Sequence, residues 1–126
     1  MPVLVDSSIW IDYFRGGKNS NKLDYFIDEN ILLVNDLILT ELVPFLKMKK
    51  QRKIINLLNE IDKLELNINW IQLIDYQHKC LQKGINGVGI PDLIIAQNAI
   101  QNHCEIYSLD NHFKLIQQAI NLKLID

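Results

Sequence analysis

Short apolar runs alternating with helix-length amphipathic segments constrain this chain more than any other feature. Val3-Leu4-Val5, Ile31-Leu32-Leu33-Val34 and Cys104 to Leu109 read as buried strands, and each is followed by residues with helical spacing. Strands separated by helices pair in parallel, with helices covering both faces of the sheet. The expected fold is α/β: three layers, α/β/α, around a short central parallel sheet of four to five strands.

The helices can be placed one by one. Ser8 to Phe14 forms the first and stops at Gly16-Gly17; Asn21 to Asp28 forms a second, with Leu23, Phe26 and Ile27 on one face. Asn35 or Asp36 caps a helix carrying Leu39, Leu42, Val43 and Leu46, in which Pro44 predicts a kink or a disturbed interior. Lys50 to Leu64 is amphipathic through Ile54, Leu57, Leu58 and Ile61. The alternation Leu64-Glu65-Leu66-Asn67-Ile68 predicts a brief third strand. Trp70 to Lys83 is a helix with an inner stripe of Trp70, Leu73, Ile74 and Leu81. After Pro91, a helix apolar nearly all round continues to Ile100 and must lie deep in the core. Asn111 to Ala119 is the last helix, and Leu122 to Ile125 a final short strand. With 126 residues and no linker or repeat, residues 1–126 are expected to form one domain.

Four acids, Asp6, Glu41, Asp92 and Asp110, stand where the chain leaves a strand or enters a helix. In an open α/β sheet, ligands bind beyond the carboxyl ends of the strands. Acids placed there from distant parts of the sequence converge on one pocket, where a hard divalent cation relieves their repulsion. Singly, each has a plain structural role: Asp6 and Asp110 as N-caps, Asp92 in a helix's first turn, Glu41 on a helix surface. Glu41, flanked by apolar neighbours, is expected to be partly desolvated. Ser7, Ser8 and Ser108 add hydroxyls beside Asp6 and Asp110, while His112 reads as a surface histidine.

The net charge of −2 is low for a protein that binds phosphates, but with the four acids set aside the remainder carries +2. Lys47, Lys49, Lys50, Arg52 and Lys53 form a basic cluster that is either a solvated face or a phosphate contact. Cys80 and Cys104 lack zinc-ligand spacing and read as buried, reduced thiols. Neither a secretory signal nor an apolar stretch long enough for a membrane span is visible, so a cytoplasmic protein without a membrane partner is expected.

In order along the chain, Val-Leu-Val-Asp6-Ser-Ser-Ile-Trp, Thr40-Glu41-Leu42, Gly89-Ile-Pro-Asp92-Leu-Ile-Ile-Ala96 and Ser108-Leu-Asp110-Asn-His-Phe113 resemble the acidic motifs of PIN-domain nucleases. The likeness is greatest to the VapC-type toxin of VapBC toxin–antitoxin pairs. The resemblance implies a PIN-like fold and an endoribonuclease dependent on Mg²⁺ or Mn²⁺, held by Asp6, Glu41, Asp92 and Asp110. It also implies hydrolysis of RNA to a 5′-phosphate and a 3′-hydroxyl, a cognate antitoxin and a homodimer. The competing reading is a PIN-like module that binds RNA or a protein without cutting. Receiver domains and aspartate phosphatases fit less well, because Asp6 is followed by serines rather than by a second acid.

Overall fold

A computed structural model describes residues 2–126. Its sheet has the order β3-β2-β1-β4, with every pairing parallel. The strands are β1 (Val3–Val5), β2 (Leu32–Asn35), β3 (Asp62–Leu64) and β4 (Glu105–Tyr107). Helices α1 (Ser7–Phe14), α2 (Leu23–Asp28), α3 (Asp36–Met48) and α4 (Arg52–Glu60) belong to the first half of the chain. The second half carries α5 (Trp70–Gln82), α6 (Ile90–Gln101) and α7 (Asn111–Ala119). The three-layer α/β/α arrangement is the one expected from the sequence.

Alternation along β1 and β4 divides the core in two, as the period of two requires; β2 departs from it, since Leu32 and Val34, two residues apart, fall in different clusters. Leu4, Val34 and Ile106 join α5, α6 and α7 in one cluster; Val3, Val5, Leu32 and Tyr107 join α1, α2 and α4 in the other. α3 serves both, through Ile38 on one side and Leu42 and Leu46 on the other. α6 is buried from Leu93 through Ala99, as its uniform apolarity predicts. Its first turn begins at Ile90 rather than after Pro91, two residues earlier than expected, because Pro91 is accommodated near the helix start, where no N–H is needed.

Three expectations require correction. The third strand is not Leu64 to Ile68 but Asp62–Leu64, and α4 stops at Glu60 to make room for it. Its partner β2 ends at Asn35, where the chain turns into α3, so residues beyond Leu64 have no strand to pair with. They are held instead by amides of α6: Asn98 Nδ2 donates to the Glu65 carbonyl at 3.1 Å and Gln101 Nε2 to that of Asn67 at 2.9 Å. Gln97 closes the run by bonding both the N–H and the carbonyl of Asn69. The final strand reduces to one parallel bridge between Ile106 and Leu124. Finally, the buried stripe of α5 is Leu73, Tyr76 and Cys80, leaving Trp70, Ile74 and Leu81 in solvent. α5 carries two apolar stripes, and only one of them faces the core. α3 continues through Pro44, whose missing N–H leaves the Thr40 carbonyl without its intrahelical donor.

Cys80 and Cys104 are buried, unpaired thiols, and burial pushes both above their usual pKa. No helix among the described residues is long and apolar enough to cross a membrane.

Candidate metal centre

The strand order reverses at β1: the chain moves to β2 and β3 on one side and returns to β4 on the other. A crevice forms at the carboxyl end of such a switch point, because the two connections leave in opposite directions. Asp6 follows β1 directly, and Asp110 lies three residues beyond β4. The Asp6 N–H donates to the Tyr107 carbonyl at 3.0 Å, extending the pairing to the lip of the crevice.

Asp6 is almost wholly buried (5% exposed) and held by serines. Its Oδ2 accepts from the hydroxyls of Ser8 at 2.9 Å and Ser108 at 2.8 Å, and at 3.5 Å from the Ser8 N–H as an N-cap of α1. The two hydroxyls lie 3.2 Å apart and accept from the Leu109 and Asp110 N–H groups. Oδ1 has no protein donor among the described residues. Ser7 makes no side-chain hydrogen bond among them, so two of the three expected hydroxyls serve Asp6.

Asp110 caps α7, accepting from the His112 N–H at 2.9 Å. This places the His112 ring over the crevice, with Nδ1 3.0 Å from Asp92 Oδ2 and 3.5 Å from Asp110 Oδ1. Asp92 comes from the first turn of α6. Burial holds its carboxyl above the ordinary range; the bond from His112 opposes this, and the charges of Asp110 and Asp6 reinforce it.

Glu41 departs from expectation in one respect. It is solvent-exposed rather than embedded, because its apolar sequence neighbours lie on other sides of α3: Ile38, Leu42 and Leu46 form the buried stripe. Its carboxyl is still raised, first by partial desolvation and then by repulsion from Asp6, Asp92 and Asp110. Glu41 therefore stands at the rim of the same charge cluster.

All four predicted acids thus act on one region, but the tightest group differs from the predicted one. Asp92, Asp110 and His112 each offer a ligand atom within 4.8 Å of the others. His112 is no plain surface histidine. Its signal in the sequence was its place in the first turn after an N-cap aspartate, where the backbone bond to Asp110 fixes the ring. Carboxylate oxygens with one imidazole form a donor set that accepts Mn²⁺ well and Mg²⁺ through the carboxylates. The residues therefore fit a divalent ion.

The basic cluster lies elsewhere. Lys47, Lys49, Lys50, Arg52 and Lys53 are exposed around the turn between α3 and α4. α3 starts at the carboxyl end of β2 and runs away from it, so its last turn is about 18 Å along the axis from its first.

The family model of the PIN domain matches residues 3–118. Among solved structures, VapBC2 of Rickettsia felis bound to a DNA fragment from its promoter is similar at a TM-score of 0.78 and 20% identity, covering 99% of this chain and 98% of that one. DNA-bound VapBC of Salmonella typhimurium is similar at 0.75 and 12% identity, covering 100% and 98%. FitAcB of Neisseria gonorrhoeae reaches 0.70 at 14%, covering 98% and 96%. At these identities the likeness shows the fold. None of the curated proteins searched matches the sequence.

Proposed function

This chain belongs to the PIN-domain family, and from that premise we propose that it is a Mg²⁺- or Mn²⁺-dependent endoribonuclease, the toxin of a toxin–antitoxin pair, with all 126 residues forming one PIN domain. The observation that carries this reading is the convergence of Asp92, Asp110 and His112 beside Asp6 at the switch point. Asp6 would present Oδ1, since Oδ2 is occupied by serine hydroxyls. Asp92 and Asp110 would complete the carboxylate set, with His112 either joining it or moving aside to bond the substrate. Glu41, on the rim of the same cluster, would be the fourth carboxylate of the set, reaching the ion directly or through a bound water. Bound in this crevice, the divalent ion would lower the pKa of water and offset charge on the scissile phosphate. Water attack in line on phosphorus would leave a 5′-phosphate and a 3′-hydroxyl.

The purified chain, free of any partner, is expected to cleave total RNA with Mg²⁺ or Mn²⁺ and to stop with EDTA. Binding without cleavage would support the interaction-module reading instead. The acids should also destabilise the metal-free protein. Metal at about tenfold above its Kd contributes about 1.4 kcal/mol, a rise in Tm of roughly 4–6 °C for a domain of this size. An unchanged Tm at millimolar Mn²⁺ and Mg²⁺ would count against the centre.

The reading includes a cognate antitoxin and a second copy of the chain, both in the cytoplasm. If the first is right, expressing the chain alone should arrest growth, and co-expressing a small reading frame found beside its gene should restore it. For the second copy, α5 offers a surface. Ile71 is 83% and Ile74 70% exposed, and Trp70, Leu81 and Ile90 continue the patch. A cluster of exposed apolar side chains of this kind marks an association surface. Ile74→Glu is expected to convert a dimer to a monomer in light scattering. A monomeric parent, or a variant still dimeric, would remove α5 from that role.

A further inference from the structure

A cavity of about 650 Å³ opens directly beside the acidic crevice and shares Ser108 and Asp110 with it. It runs between α7 and the loop joining α1 to α2. One wall is the exposed face of α7, where Asn111, Lys114 and Gln118 recur at helical spacing. The opposite wall is Asn19, Asn21, Lys22 and Asp126, where the Lys22 ammonium donates to the Asp126 carbonyl, and Tyr107, Leu124 and Ile125 lie between.

The loop wall is fixed rather than loose. Tyr107 Oη donates to the Asn19 carbonyl at 3.3 Å, the Ser20 side is buried, and the Leu23 N–H donates to the Ser20 carbonyl at 3.0 Å. At the start of the loop, Gly17 lies so close to Asp12 that a Cβ there would meet Oδ1 at 2.2 Å. A groove with rigid walls can bind without first ordering itself.

Its chemistry contrasts with that of the crevice it adjoins. A polynucleotide cut at the acidic cluster continues beyond the scissile phosphate, past carboxylates that repel the next phosphate. This groove sets Lys114 and several carboxamides beside Asp110, with Lys22 held against Asp126 on the far wall. Lysine ammonium groups take phosphates as point charges, and Asn and Gln carboxamides match the paired donors and acceptors of base edges. The volume admits about two nucleotides and no duplex, and the base edges of a single strand are free for such bonds.

We propose that this groove seats the single-stranded RNA flank on one side of the scissile phosphate. Lys114 binds a phosphate of this flank, and Asn111 and Gln118 its bases. The inference rests on the ribonuclease reading and adds to it the path of the substrate, away from the basic turn between α3 and α4.

The test uses the full chain carrying Asp92→Asn, so that RNA stays intact, and a short fluorescent mixed-sequence oligoribonucleotide followed by anisotropy across a salt series. Adding Lys114→Gln should weaken binding about five- to tenfold and lower the salt slope by about 0.7, the value for one phosphate contact on a single strand. Gln118→Ala should change the ranking of oligonucleotides of different sequence. In the otherwise unaltered chain, Lys114→Gln should raise KM for cleavage. A folded Lys114→Gln protein with the parent's affinity and slope overturns the groove while leaving the nuclease standing. If the loss appears with Lys47→Gln instead, the strand lies along the α3–α4 turn and the groove is again wrong. A parent that neither binds nor cuts RNA defeats the ribonuclease reading, and the groove with it.

Discussion

Asp6→Asn is expected to fold as the parent does and to lose RNA cleavage by at least about a hundredfold. The asparagine oxygen can take the place of Oδ2 and accept from Ser8 and Ser108 as before. Its amide nitrogen then occupies the Oδ1 position, presenting two N–H donors where the proposed ion needs an acceptor. The substitution removes a charge while preserving the local hydrogen bonds, which separates chemistry from folding. Circular dichroism should match the parent, the metal-free Tm should be no lower because one repelling charge is gone, and the rise in Tm on adding Mn²⁺ should shrink. Asp92→Asn should behave alike. Undiminished cleavage by a well-folded Asp6→Asn protein would remove Asp6 from the mechanism.

Asn35→Ala is expected to destabilise the fold by about 3 kcal/mol, a large share of a typical domain's 5–15 kcal/mol. Asn35 is fully buried where β2 meets α3. Its Oδ1 accepts from the Ile38 N–H at 2.9 Å, and its Nδ2 donates to Asn98 Oδ1 at 2.9 Å. Asn98 in turn donates to the Glu65 carbonyl. Alanine deletes an N-cap, worth about 1 kcal/mol, and leaves the Ile38 N–H and Asn98 Oδ1 buried without partners, at about 1–3 kcal/mol each in the worst case. Guanidinium denaturation measures the sum. The Asn35→Ala, Asn98→Ala double variant should lose less than its two parents together, because they share one chain of bonds. A loss well under 1 kcal/mol for Asn35→Ala would show that water or relaxation replaces those bonds.

The residues that were legible from sequence are those whose environment is set by their own periodicity. Val3 to Val5 and the apolar α6 carry their burial in their composition, and Asp6 and Asp110 carry their place in the strands before them. What was not legible depends on partners distant in sequence. Leu64 to Ile68 alternates like a strand, yet side-chain amides of α6 meet its backbone, and no local pattern announces them. Glu41 looks enclosed when read along the chain, because sequence adjacency conceals the 100° turn per residue that sends Leu42 inward and Glu41 outward. On α5, two apolar stripes compete, and only the position of α7 decides that Leu73, Tyr76 and Cys80 face inward. His112 required knowing that α6 brings Asp92 against the first turn of α7.

The Ser8–Ser108 contact spans 100 residues, and β1 finds β4 across the same distance. Pairings so remote in sequence form late in folding, once local structure has been made. A ribosome delivers Asp6 early, but Ser108, Asp110 and His112 emerge only after all of α6. Until then Asp6 lacks the Ser108 hydroxyl and has no second wall opposite it. If the proposed activity is correct, a growing polypeptide of this fold cannot cut the transcripts or transfer RNAs around the machine that is making it. On that proposal, cleavage begins only once β4 and the start of α7 are in place.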